Sequence, residues 1–527
     1  AVELTSITSY IDRDILVSRD ASALSGSVSV DLGLPTAAVN LPSNLRDTTD
    51  LKQFSQEVRL SSLGTGPLQW VVGAFYSDVN RVYEQRLPTP GYDAFVDATL
   101  GEGTSAGAAN GFPADSPYNS DIPYDIKQKA IFGEATYDFG QFKLTGGGRY
   151  YDFNEERDFL SGGVFSNADT FLGDKTSSNG FSPRVIATYE PTENLSVNLQ
   201  AAKGFRLGGV NDPLNLPLCT PEDEQIFGGY GSYDDETLWN YEAGVKYQQR
   251  GLTFNAAAFQ TEIKNLQVTL DAGSCSSRVV FNVPEAHTRG IEAEFGVSPA
   301  PGFELSFAGS LVEAEFDSTV TSGAGDVLGG IREGNRLPTV PKYQFAATAN
   351  YGQRFNTGDW YVNASYQRVG SRYTQPSDQE DNPRTFVHGL PFNGMPATAA
   401  TTVDLRLPAY DLVNLSAGVA FDSGLELVAY VNNLFDENAL LSFDRERGGR
   451  ARLGFNVGQP RIIGLTVRQS FQSAPAPAAV YVPPAPPPPP AAPATQTCPD
   501  GSVILATDAC PAPPPPPPPP APMPERG

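Results

Sequence analysis

The last regular stretch of the chain alternates cleanly. Ile463, Leu465 and Val467 fall on one side, Gly464, Thr466 and Arg468 on the other, and the run closes on the aromatic Phe471. Period-2 alternation makes a strand with one apolar and one polar face. The same pattern recurs along nearly the whole chain. In 194–205, Leu195, Val197, Leu199 and Ala201 alternate with Ser196, Asn198 and Gln200; in 237–248, Trp239, Tyr241, Ala243, Val245 and Tyr247 alternate with Asn240, Glu242, Gly244 and Lys246. Charges on every other position are tolerable only where that side is wet. Segments of about ten residues with this alternation, separated by turns, are the mark of a transmembrane β-barrel. The predicted fold class is therefore all-β, a transmembrane antiparallel barrel with apolar faces toward lipid and polar faces toward the lumen.

The predicted strands come mostly in pairs. Residues 3–14 precede a long polar region, 15–51; then follow 52–63 with 67–79, 127–139 with 142–155, and 181–190 with 194–205. The series goes on through 237–248 with 252–264, 286–297 with 302–314, 342–351 with 359–369, 411–421 with 425–434, and a final 460–471. Turns such as Gly64–Pro67, Gly140-Gln141, Arg250-Gly251 and Asp422–Gly424 are tight by composition. The other connections are long: 80–126, 156–180, 206–236, 265–285, 315–341, 370–410 and 435–459. A bacterial barrel puts short turns in the periplasm and long loops outside, and the count comes to about sixteen strands. A soluble sandwich has no reason to place every long connection at one end.

Composition narrows this further. No stretch of the 527 residues approaches the roughly 18 uninterrupted apolar residues of a membrane helix. The chain holds 22 Tyr and 30 Phe, the aromatics that interfacial girdles need. Its net charge of -24 argues against a nucleic-acid partner. That charge fits acidic outer loops, or a lumen that favours cations or metal complexes. Two His and two Met exclude a multi-histidine metal site. Four Cys suggest two disulfides in an exported chain, Cys219 with Cys275 in successive outer loops and Cys498 with Cys510 in the tail; three connectivities exist, and free thiols are the alternative.

Several motifs resemble those of the TonB-dependent outer-membrane receptors. They are FGEATYDF at 132–139 with LTGGGRYYDF at 144–153, KGFRLGGVN at 203–211 with ETLWNYEAGVK at 236–246, NVPEAHTRGIEAEF at 282–295, NRLPTVPKYQ at 335–344, and YVNNLFDENA at 430–439 with GQPRIIGLTVRQSF at the end. The resemblance implies a barrel of about twenty-two strands around a plug. It also implies TonB-energised uptake of a scarce, bulky solute, such as a ferric siderophore, cobalamin or an oligosaccharide. Nothing here resembles the plug or the TonB box. The expectation is that 1–471 is the C-terminal barrel portion, lacking the plug and about six strands, and that TonB acts only through that missing plug. The resemblance makes Phe471 the terminal aromatic read by the barrel-assembly machinery. Residues 472–527 continue past it as Pro/Ala runs that favour polyproline II, a periplasmic tail able to reach the cell wall or a partner.

No enzyme chemistry emerges. GGGRY at 146–150 lies within a strand pattern and lacks the Lys-Ser/Thr of a phosphate loop. His287 and His388 stand far apart without a nucleophile motif, and no cofactor is expected. Asp234-Asp235-Glu236 and Glu155-Glu156 could coordinate a cation, or simply be solvated loops. For solute contact the best candidate is Arg206, which continues the inward register of Ser196, Asn198 and Gln200 where the strand becomes loop. Its guanidinium could hold a carboxylate or an anionic metal chelate, or pair with another wall residue. Arg149 is a second candidate, and Phe227 and Tyr230 are candidate exposed aromatics that cover a ligand. A passive porin-like channel, and a structural barrel tethered to the cell wall by its tail, are the alternative functions.

Overall fold

The computed structural model describes residues 1–275, 278–323, 325–380, 382–387, 395–396, 398–445 and 453–471, and the backbone of 495–497 and 503–505. Sixteen strands form one antiparallel sheet in strict chain order. They are β1 (Val2–Asp20), β2 (Asn44–Ser62), β3 (Leu68–Arg86), β4 (Asn119–Asp138), β5 (Phe142–Gly162), β6 (Thr170–Thr192), β7 (Leu195–Arg206) and β8 (Glu236–Gln249). The second half holds β9 (Leu252–Asp271), β10 (Arg278–Ala300), β11 (Phe303–Phe316), β12 (Tyr343–Phe355), β13 (Gly358–Val369), β14 (Tyr410–Phe421), β15 (Leu425–Asn432) and β16 (Ile462–Gln469). No ladder joins β1 to β16 among the described residues, so the sheet has two free edges.

The faces follow the alternation. Val72, Leu199, Ile291 and Leu311 on the outer side are 46 to 56% exposed, as lipid-facing residues must be when no lipid is present. Their neighbours on the inner side are polar and bond across strands, for example Thr188 Oγ1 to Asn198 Oδ1 at 2.8 Å and Thr261 Oγ1 to Asn240 Oδ1 at 2.8 Å. Where the inner wall lacks a side chain, an aromatic from the next strand fills the space. A Cβ on Gly464 would come within 2.3 Å of the Tyr430 ring, and one on Gly418 within 2.3 Å of Tyr361. Only glycine fits under these rings.

The strands differ from the expected spans in length. β1 runs six residues past the predicted end at 14, β2 starts at Asn44 rather than 52, and β6 starts at Thr170 rather than 181. These extensions lie past the apolar band and partly pack under the loops, as Leu45 does at 7% exposure, so the hairpins continue without the alternation that marks lipid contact. β1 to β6 reach 19 to 23 residues, β7 and β8 only 12 and 14, β9 and β10 20 and 23, and β12 to β16 8 to 13.

Candidate ligand site at the barrel mouth

The long connections are folded, not slack. Helices α1 (Ser22–Asp31), α2 (Thr36–Val39), α3 (Tyr92–Leu100) and α4 (Thr104–Ala108) sit over β1 to β4, and α5 (Pro221–Phe227) lies between β7 and β8. Together with the outer strand ends and the other connections they bury apolar cores, two of which bear on the loop that holds α5. One holds Val28, Leu34, Leu87, Tyr92, Val96 and Phe165, with Leu218; the other holds Leu214, Phe227, Phe281, Phe316, Leu328 and Ile331. The 207–235 loop contributes to both. Cys219 and Cys275 are disulfide-bonded, tying this loop to the β9–β10 hairpin. Thr220 caps α5, its hydroxyl accepting from Asp223 N at 3.2 Å, and Asp223 in turn accepts from Ser274 N and Oγ at 2.8 and 2.6 Å.

From this layer the 207–235 loop turns inward against β4 to β6. On the outer faces of β3, β4 and β5 the regular apolar alternation gives way after Tyr76, Ile131 and Tyr150 to Asp78, Lys129 and Asp152, with Val82 an isolated exception, so the inner positions farther along these strands fall past the apolar band. Three of them pair in a row: Arg81 with Tyr124, and Tyr124 with Arg157. The Arg81 guanidinium lies 4.9 Å from the Tyr124 ring centre and 5.4 Å from that of Tyr83. Arg157 is 3% exposed. It donates from Nη1 to Asp212 Oδ1 at 2.8 Å and from Nη2 to the Asn211 carbonyl at 2.7 Å, while its Nε has no hydrogen-bond partner. Tyr233, on the returning arm of the loop, feels Glu155, Arg206, Tyr124 and Arg157. Burial lifts the Tyr233 and Tyr124 phenols and the Glu155 carboxyl above their usual ranges, with Asp212 adding to the rise at Tyr124 and Arg157 opposing it at Glu155. Arg81, Tyr124 and Arg157 thus stand side by side on three adjacent strands beneath a tethered loop, and Glu155, Arg206 and Tyr233 lie near enough to add to the electrostatics of the group. Such a set can grip a large, polar, charged solute; it offers no nucleophile paired with a base.

A family model described as "TonB dependent receptor-like, beta-barrel" matches residues 9–434. The chain belongs to that family. Among curated relatives of this TonB-dependent receptor barrel, the pesticin receptor of Yersinia pestis is 24% identical over 358 residues, which is 67% of this chain and 46% of that protein. The chain spans about half the length of the curated relatives it matches. Among solved structures, the ferric yersiniabactin uptake receptor of Yersinia pestis aligns with a TM-score of 0.59 at 19% identity, over 82% of this chain and 56% of that one. A siderophore receptor of Acinetobacter baumannii aligns with a TM-score of 0.59 at 17% identity, over 89% and 62%. The family is one of outer-membrane transport receptors rather than enzymes.

Within this receptor-family barrel the residues expected from sequence fare unequally. Arg206 ends β7 exposed, opposite Glu236 in register, and forms no ion pair among the described residues. Arg149 lies lower on the inner wall, 5.2 Å from the Phe75 ring centre. Phe227 is not an exposed cover: it is 9% exposed inside a loop core, and Tyr230 packs against that core and on Phe281 at 5.3 Å. The loop is long enough to bury its own aromatics, which its polar composition hid. The acidic run is a set of tethers, since Asp235 accepts from Gly208 N at 2.7 Å and from Ser178, and Glu236 accepts from Gln267 N at 2.8 Å. His287 meets Asp317 at 2.7 Å; His388, Cys498 and Cys510 lie outside the described residues, as does most of 472–527. The sequence reading missed Arg81, Tyr124 and Arg157. Their signal is weak: basic and aromatic residues on the inward register just past the point where apolar alternation stops.

Proposed function

We propose that this chain is the barrel portion of an outer-membrane receptor for TonB-energised uptake of a bulky, scarce solute of the ferric siderophore, cobalamin or oligosaccharide class. The observation that carries the reading is the family match over 9–434. A wet inner wall whose mouth is roofed by folded loops supports it, because a roofed mouth suits selective capture better than free diffusion. Two structural neighbours, a ferric yersiniabactin uptake receptor and a siderophore receptor, favour the ferric-chelate class. In this reading TonB is reached through a plug, Phe471, 91% exposed, is the aromatic recognised by the assembly machinery, and the Pro-rich tail is a periplasmic spacer that contacts the cell wall. The deciding experiment deletes the gene and measures accumulation of labelled ferric chelates, cobalamin and oligosaccharides, with and without a working TonB. Loss of one solute in the deletion strain and in the TonB-deficient parent is expected. Unchanged accumulation of every solute refutes the reading, and TonB-independent loss of small-solute influx instead would make the chain a passive channel, as its sixteen strands alone would allow.

A further inference from the structure

Arg157 poses a question that uptake alone does not answer. A guanidinium 3% exposed must be paired, because an unpaired buried charge is strongly destabilising. Its partner is not on the wall. It is Asp212, at the inner turn of the 207–235 loop, whose side chain is 50% exposed while that of Arg157 is 2% exposed. The open side of this ion pair is therefore the carboxylate's. Any anion reaching Arg157 from the lumen must take the place of Asp212. The surroundings favour such an anion. Arg81 and Arg206 carry no ion pair among the described residues, and Arg81 stands two strands from Arg157 across Tyr124, whose ring centre is 4.9 Å from its guanidinium.

We propose that the Asp212 carboxylate is an internal stand-in for an anionic group of the transported solute, which displaces it from Arg157 and so releases the 207–235 loop from the wall. The solute is then a negatively charged chelate with carboxylate or phenolate oxygens. Exchanging one charge-assisted pair for another keeps Arg157 satisfied throughout, so the swap avoids the penalty of baring it. The release passes beyond the site through the neighbouring residue. Asn211 lends its carbonyl to Arg157, while its side chain donates to the carbonyls of Tyr230 and Val280 at 2.8 and 2.6 Å and accepts from Val280 N at 2.9 Å. Loosening Asp212 therefore loosens the link from the loop to the β9–β10 hairpin.

This inference rests on the uptake reading, and the two fail separately. The test measures equilibrium binding of radioiron-labelled ferric citrate and ferric tris-catecholate, both anionic, and of a neutral ferric trihydroxamate, to outer-membrane vesicles carrying the full chain. Asp212→Asn is expected to tighten an anionic probe about tenfold by removing the internal competitor, with Asp212→Glu restoring wild-type affinity. Arg81→Gln, which leaves Arg157 and its tether in place, is expected to weaken that probe about tenfold, the worth of one charge-assisted contact. Asp212→Asn is also expected to expose the 207–235 amides to hydrogen exchange, as saturating anionic probe does in wild type. The proposal is overturned if only the neutral chelate binds, if no probe binds, or if Asp212→Asn leaves anionic affinity unchanged or weaker. Binding of the neutral chelate alone leaves the uptake reading standing, and cellular accumulation decides that reading independently.

Discussion

The wall and the loop layer of this molecule obey opposite rules. On the wall the large apolar side chains point outward, with Ile463, Leu465 and Val467 at 61 to 78% exposure, and the inner face is polar. In the loop layer the apolar residues are hidden, as in a water-soluble domain: Tyr92, Val96 and Ile331 are 0% exposed. The wall is stabilised by ladder hydrogen bonds and by lipid, which satisfies outward side chains without any close-packed core. The loops stand in water and need cores of their own, helix caps and a disulfide. One chain thus solves the burial problem twice, with a different solvent each time.

The sharpest way to separate the two is to cut one core. Ile331→Ala is expected to destabilise the loop layer by about 2–5 kcal/mol through the cavity it leaves, while the ladders below stay intact. Chemical denaturation of the chain in bilayers, followed by near-ultraviolet signals and by hydrogen exchange of the wall amides, should show the loss confined to the loops. Leu199→Arg is the opposite break. Leu199 stands outward in the middle of the apolar band, and an Arg there is expected to cost about 2–4 kcal/mol of insertion free energy in bilayers, with little effect on the same chain's loop cores. Replacing both Cys219 and Cys275 by Ser, 56 residues apart, should cost the loops about 2 kcal/mol, the low end for a disulfide because Asn211, Asp223 and Asp235 still hold the segment. Thermal unfolding with and without reductant measures it. Thr220→Ala removes the α5 cap and is expected to cost about 1 kcal/mol, visible as faster exchange of the α5 amides.

The smallest effect depends on pH. Arg332, with Nη2 2.7 Å from Glu380, holds the Glu380 carboxyl below its usual range, with Asn335 helping. Because the folded value is lowered, the stabilisation is complete above the ordinary carboxylate range and is lost as pH falls through that range to the lowered value. Acidification should therefore loosen the contact between the 317–342 and 370–409 connections, and Glu380→Gln should abolish this part of the acid response. Hydrogen exchange of the 328–337 amides across the titration reads the difference.

What could be read beforehand divides along the same line. The number and order of strands, and the end that carries the long connections, were legible because lipid imposes alternation on every strand that crosses it. Leu195 to Gln200 and Trp239 to Lys246 follow that code residue by residue. Past the membrane the code lapses. Nothing in Asp12 to Asp20, or in Glu155 to Gly162, distinguishes a hairpin standing in water from a loop, so the strand ends fell short. Phe227 was misplaced for a related reason, since its core gathers residues from segments far apart in the chain, Leu214 and Phe227 clustering with Phe281, Phe316 and Leu328. Arg206 was found because it prolongs a lipid-imposed register. Arg157 was not, because its burial is made by a loop that returns from fifty-odd residues away, at Asn211 and Asp212.

The unequal heights of the strands give the mouth a direction. β1 to β6 and β9 to β10 stand as two ramparts, and the rim drops between them at β7 and β8 and again along β12 to β16. The 207–235 segment rises from the first of these gaps, so it closes that low sill like a gate hinged at its own threshold. The ladder is thereby lowest along β12 to β16, away from the strands that carry Arg81, Tyr124 and Arg157.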